Sequence, residues 1–342
     1  MLMAITGASG FVGLNLVQHL LDQGHKVRAI DRLPNPRLNR PGVSFVEGDV
    51  LDAGSMRRAL KGVDRVFHLV AKITLAAEDE VAWTLNTKGV RTVAEAALAA
   101  GVKRMVQCSS IHAFDQYRCG GRIDESSVRS TEPSIPVYDR SKYAGEQELR
   151  EVIAAGLDAV ICNPTGVYGP VDYGLSRINA LMRNAALGRL PFLLTGAFDF
   201  VDVRDVANGL ALAGEQGRCG ENYLLGGHHL EALDFFRLAA RAVNRRGPLF
   251  AIPLGVIKPL VPIAERIGRR FGSDAISEGS IAAIECAPIV SHAKAARELG
   301  YHPRPADESV RDLIAFLISS NQLAPQAPAA GAVGLSTPSA AQ

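Results

Sequence analysis

The chain has 342 residues, a length that suggests two lobes rather than a single core. Its 37 Lys+Arg against 35 Asp+Glu leave a net charge of +2, which gives no electrostatic reason to invoke nucleic acid. No uninterrupted apolar run reaches transmembrane length, so no integral membrane segment is expected. Cysteines 108, 119, 162, 219 and 286 form no C-x-x-C and no even set, and the first strand begins within a few residues of Met1 without a leader. Together these predict a reducing, cytoplasmic setting and no structural metal.

In chain order, the apolar run Leu2–Ile5 suits a buried parallel strand, and Phe11–Leu21 carries helical apolar periodicity. Between them lies Thr6-Gly7-Ala8-Ser9-Gly10-Phe11-Val12-Gly13, spaced G-x-x-G-x-x-G rather than G-x-G-x-x-G. Glycines at such a strand-to-helix joint let a pyrophosphate approach the backbone at the positive end of the helix. Gly7, Gly10, Phe11, Val12 and Gly13 are therefore candidate contacts to a dinucleotide. A second strand, His25–Ile30, ends at Asp31, 18 residues past Gly13. A carboxylate there accepts hydrogen bonds from the adenosine ribose hydroxyls and repels a 2′-phosphate, which favours NAD. Arg32, also a candidate cofactor contact, and Arg37 leave NADP as the alternative.

Farther on, Met105–Ser110 reads as a strand ending in two serines, and Tyr138-Asp139-Arg140-Ser141-Lys142 opens a helix. There Tyr138 and Lys142 are i and i+4, on one face with Cβ atoms ~5–6 Å apart. The lysine is expected to lower the tyrosine's pKa and suit it to acid/base work near neutrality.

These residues resemble the extended short-chain dehydrogenases/reductases, the NAD-dependent epimerase/dehydratase family, whose loop is T-G-x-x-G-x-x-G. The resemblance covers almost the whole chain. It implies a doubly wound parallel (Rossmann) α/β sheet with a smaller C-terminal substrate lobe, and a Ser110, Tyr138, Lys142 catalytic set. Ser110 would hydrogen-bond the substrate oxygen, Tyr138 would exchange its proton, and Lys142 would bind the nicotinamide ribose. The resemblance also implies cofactor contacts from Asp49 and Val50 in Gly48-Asp49-Val50, from Val70 and Ala71 in Val66–Ala71, from Lys72 where the family usually has alanine, and from Asn86, Asn163 and Pro164. Partners are then a small-molecule substrate and a second copy, the homodimer forming through segments 82–100 and 138–155.

By this reading residues 1–165 form the dinucleotide-binding domain, with a return at 198–228. Residues 166–197 and 229–323 form the substrate lobe, and 324–342 a disordered tail rich in Ala, Pro, Gly and Ser. Nucleotide-sugar enzymes of the family carry an arginine just before the Asp-Phe-Val segment, where Phe198 stands here. The resemblance therefore runs to the dihydroflavonol-reductase-like and 3β-hydroxysteroid-dehydrogenase-like branch, which implies interconversion of a secondary alcohol and a ketone on a fairly apolar substrate. A nucleotide-sugar epimerase/dehydratase with tightly held NAD is the alternative. A non-catalytic dinucleotide sensor is more remote, since such proteins lose the tyrosine or the lysine. His112, Tyr168 and Tyr173 are candidates for the pocket wall or for packing. Residues 255–272 could be read as a basic amphipathic segment at a membrane surface or as a lobe-covering helix.

Overall fold

A computed structural model describes residues 1–261 and 285–324. The expected tail at 325–342 and most of the basic segment, 262–272, lie outside the described residues. In the first half, strands alternate with helices: β1 (Leu2–Thr6), α1 (Phe11–Asp22), β2 (Lys26–Asp31), β3 (Val43–Glu47), α2 (Ala53–Ala59), β4 (Arg65–His68), α3 (Glu80–Asn86), α4 (Lys88–Ala99) and β5 (Arg104–Cys108). The short β6 (Arg122–Ile123), α5 (Val137–Ala154) and β7 (Ala159–Pro164) follow.

With β11 (Asn222–Leu225), seven parallel strands form one sheet in the order β3-β2-β1-β4-β5-β7-β11. Its central strands are apolar on both faces because helices cover both. Met3, Ile5, Phe67, Val106 and Cys162 face α1 and α7 (Val203–Gln216), while Ala4, Val66, Met105 and Ile161 face α2, α4 and α5. Reversal of strand order beside β1 opens a crevice at the carboxyl ends of β1 and β4, where this architecture binds ligands.

A smaller lobe is built on β8 (Gly166–Tyr168), β10 (Ala197–Asp202) and β12 (His228–Glu231), a three-stranded sheet covered by α6 (Arg177–Ala186), α8 (Ala232–Arg241) and the helix Ala306–Ser319. Phe200 of β10 stacks on Phe235 of α8 at 3.9 Å between ring centroids. Phe200 thus packs with the smaller lobe, while Val201 of the same strand joins the core of the large sheet, to which α7 also belongs. A second return was not anticipated: Ala295, Leu299 and Tyr301 join the core of the large sheet, where apolar side chains of the helix Ala293–Leu299 pack beside α7 and β11. Helix α5 lies close to α3, and a Cβ on Gly145 would fall 2.1 Å from the Asn86 carbonyl oxygen. That contact fixes the depth of the helix carrying Tyr138 and Lys142.

Candidate active site

The glycine loop joins β1 to α1 as its sequence predicts. The Gly7 N–H donates to the Ile30 carbonyl at 3.0 Å, tying the loop to β2. A Cβ at Gly13 would lie 2.3 Å from the Gly7 oxygen and 2.7 Å from the Ala8 oxygen, so only glycine lets α1 start this close under the loop. At the end of β2, the Asp31 carboxylate accepts from the Ser9 N–H at 3.1 Å and from the Arg32 N–H at 2.8 Å. A loop this tight at a helix N-terminus, with a carboxylate beside it, fits a dinucleotide's pyrophosphate and adenosine ribose. The Arg37 guanidinium lies 3.6 Å from the Tyr173 ring centroid, stacked on that exposed aromatic.

Other predicted cofactor positions surround the same crevice. Val70 abuts Gly7, Val50 is buried against Gly89, and Asp49 is exposed and accepts from the Leu51 N–H at 2.9 Å. Lys72 is accommodated where alanine is usual, because its ammonium reaches Asp79 at 2.8 Å and its backbone is clasped at both ends by Asn86. The Asn86 amide also donates to the Ser141 hydroxyl at 2.9 Å, so this side chain is committed to holding the β4 loop against α5.

Ser110, Tyr138 and Lys142 come together where the end of β5 meets the first turns of α5. The Ser110 hydroxyl lies near enough to the Tyr138 phenol to favour its ionised form. The Ser110 oxygen also accepts from the His112 N–H at 3.2 Å. Lys142 donates to the Cys108 carbonyl at 3.0 Å. One expectation is corrected: burial pushes the Tyr138 phenol above its ordinary pKa, with the Ser110 hydroxyl only partly opposing it. Burial also lowers the pKa of the neighbouring Lys142. Beneath them, burial holds the His68 imidazole neutral, with its pKa at about 3, and Nδ1 pairs with the Thr6 hydroxyl at 2.8 Å.

Behind the triad lies a buried polar cluster that sequence reasoning missed. Glu146 is fully buried and accepts from the Ser109 hydroxyl at 2.6 Å, the Asn163 amide at 2.7 Å, the Asn222 amide at 3.0 Å and Arg129 at 3.3 Å. Asn163 also donates to the Ser110 carbonyl at 2.8 Å, which links Glu146 to the backbone of Ser110. The Asn163 amide is thus spent on protein partners, and Pro164 next to it is buried at the end of β7. The signal was present in the spacing: Glu146 is i+4 from Lys142 and so shares its helix face.

Beside Ser110 and Tyr138 opens a cavity of about 320 Å³, walled by Ile111, Ile178, Leu181, Phe198, Phe236 and Val290. His112 belongs to this wall and sets its ring edge-on to Tyr138, 5.3 Å between centroids. Tyr168, by contrast, is buried in the smaller lobe's core against Phe235. Tyr173 lines a separate groove along α1. His228 bonds the Arg304 carbonyl through Nε2 at 2.9 Å. No helix among the described residues is long and apolar enough to cross a membrane.

Comparison with known proteins agrees with this geometry. The family model described as "NAD dependent epimerase/dehydratase family" matches residues 3–226. A protein of Methylococcus capsulatus named sterol demethylase protein B is 31% identical over 91% of this chain and 97% of its own length. A putative dihydroflavonol 4-reductase of Synechocystis is 30% identical over 91% of this chain and 92% of its own. Among solved structures, that of gox2253 superposes with a TM-score of 0.83 at 32% identity, covering 94% of this chain and 99% of that one. The chain belongs to the NAD-dependent epimerase/dehydratase family, the extended short-chain dehydrogenases/reductases, and is an NAD-dependent oxidoreductase.

Proposed function

We propose that the protein interconverts a secondary alcohol and a ketone on a fairly apolar substrate of steroid, flavonoid or polyketide type. The observation that carries this reading is the apolar cavity beside Ser110 and Tyr138, with Phe198 in its wall. An aromatic side chain cannot make the bidentate contact by which a guanidinium grips a diphosphate, which disfavours a nucleotide sugar. The sterol-related name of the Methylococcus relative supports the same substrate class.

Bound NAD would accept or return the hydride at its nicotinamide ring. The remaining work falls to this chain. The glycine loop and Asp31 would hold the pyrophosphate and ribose, and the Ser110 hydroxyl would bind the substrate oxygen. Tyr138, kept protonated by burial, would donate its proton to a developing alkoxide in reduction and recover it in oxidation. Lys142 would hold the nicotinamide ribose and stabilise the phenolate when it forms. The adjacent helices α4 and α5 would pair across a two-fold axis into a homodimer, a state light scattering reads directly.

Tyr138→Phe keeps the ring and removes the proton, so NAD affinity should hold while turnover falls by about 10² to 10⁴. The assay follows NADH with hydroxysteroids, flavonoids and UDP-sugars. Near-normal turnover in this variant would overturn the role of Tyr138, and sugar interconversion without net NADH would favour the epimerase.

A further inference from the structure

His112 is not needed for the Ser-Tyr-Lys chemistry, yet it is built into the site from three sides. Its N–H donates to Ser110 Oγ at 3.2 Å, its carbonyl accepts from the Ser130 hydroxyl at 2.8 Å, and its ring lies edge-on to Tyr138. Nδ1 lies 3.0 Å from the carboxylate of Asp139, which is 3% exposed. Gln116 Nε2 approaches the same nitrogen at 3.1 Å. A carboxylate on Nδ1 fixes the tautomer and orients the ring, as second partners do for functional histidines. Nε2 is then the nitrogen left for a ligand, on a residue that lines the cavity among Ile111, Ile178, Leu181 and Phe198. In a mostly apolar wall, which also carries Gln116 and the mutually bonded Thr165 and Asp199, an oriented donor selects because a ligand lacking its partner leaves it unpaired.

We propose that His112, held by Asp139, forms a second polar subsite of the pocket, which hydrogen-bonds an acceptor oxygen on the carbon next to the reacting carbinol. Ser110 Oγ accepts from the His112 backbone N–H and the Tyr138 ring lies edge-on to the imidazole, which puts the His112 ring beside the oxygen that Ser110 and Tyr138 would hold. The preferred substrates are thus secondary alcohols, or the matching ketones, with a neighbouring hydroxyl, ether or carbonyl oxygen. The subsite rests on the alcohol–ketone reading above and names the feature that reading leaves open.

The interaction also carries a pH signature. Burial lowers the His112 pKa, but the Asp139 charge and hydrogen bond outweigh this and raise it overall, with the Lys142 ammonium opposing them. Among the described residues, Tyr138 and, across the cavity, Asp199 also face it. Below its pKa the imidazolium bears a proton on Nε2 and donates. Above it, with the remaining proton on Nδ1 toward Asp139, Nε2 presents a lone pair to the acceptor oxygen, so the preference is lost as pH rises.

The test compares two alcohols of nearly equal shape, 2-methoxycyclohexanol and 2-ethylcyclohexanol, which differ by an oxygen in place of a methylene. Full-length protein with NAD is assayed for NADH formation, and the His112 ring is followed by ¹⁵N NMR as each compound is added. The ether should be preferred by about tenfold in kcat/KM near pH ~6 and the preference should vanish near pH ~9, in line with one hydrogen bond of ordinary net strength. His112→Phe should abolish the ratio, and Asp139→Asn should move its loss to lower pH. A ratio that survives His112→Phe, or a His112 signal that responds equally to both compounds or to neither, overturns the subsite. If neither compound yields NADH, the alcohol–ketone reading loses support for this class, while the ring signal still decides the subsite, so the two failures are distinguishable.

Discussion

The glycine-loop side of the cleft, which we propose holds the cofactor, is assembled from backbone geometry within a short stretch of chain, whereas the cavity side, which we propose holds the substrate, draws its wall from segments far apart in sequence. Gly7 to Gly13 and Asp31 come from the first βαβ unit; the loop makes its contacts through main-chain groups, one of them the Ser9 N–H that donates to the Asp31 carboxylate. Ile111, Ile178, Phe198, Phe236 and Val290 reach the cavity from five places between β5 and β14 (Ile289–Val290), a span that also holds the short β9 (Phe192–Leu194) and β13 (Phe250–Ile252), and each contributes only apolar surface. A backbone cradle tolerates almost no change, while an apolar wall tolerates reshaping at a cost in selectivity. The difference separates what this fold holds constant from what it leaves free.

The seam between the two sides should give the largest effect. Glu146→Ala would leave the half-buried Arg129 without its carboxylate and would strip partners from Ser109, Asn163 and Asn222. A loss of about 2–4 kcal/mol in denaturant unfolding is expected, since several buried donors lose their acceptor at once. A change under about 1 kcal/mol would mean that the cluster is not closed as described. Gly13→Ala strikes the cradle itself, where the new methyl meets backbone oxygens that cannot yield cheaply. We expect about 1–3 kcal/mol of destabilisation and at least about a tenfold loss of NAD affinity by calorimetry. Unchanged affinity would show that the loop does not set the cofactor's position.

Asp31→Ala keeps the fold and removes the charge that opposes a 2′-phosphate. The NAD-over-NADP ratio should narrow by about tenfold or reverse, as one close charge in a partly desolvated site implies. Tighter NADPH than NADH binding by the unmodified protein would instead assign the choice to Arg32 or Arg37. Leu181→Ala, on the substrate side, removes a side chain 39% exposed at the cavity. Stability should change by less than about 1 kcal/mol while KM for apolar alcohols rises severalfold, because the lost surface faces ligand rather than core. If stability fell as much as in Gly13→Ala, the contrast between the two sides would collapse.

The glycine spacing, the acid ending β2 and the Tyr138–Lys142 pair were legible in the chain because each is a short-range pattern whose meaning depends on one element and its neighbour. Helix α5 sets Tyr138 and Lys142 on one face by its 3.6-residue period alone. Local sequence could not decide that Tyr138 titrates upward, because desolvation comes from the whole surrounding core rather than from the lysine one turn away. Nor could it decide that Asn86 and Asn163 spend their amides on protein partners, that Ala295 to Tyr301 return to the large sheet, or that His112 meets Asp139 across 27 positions of chain. These depend on which side chains long-range packing brings together. Tertiary contact chooses the partners of a buried polar group, and with them its charge state and its use, whereas the backbone pattern determines only where that group can stand.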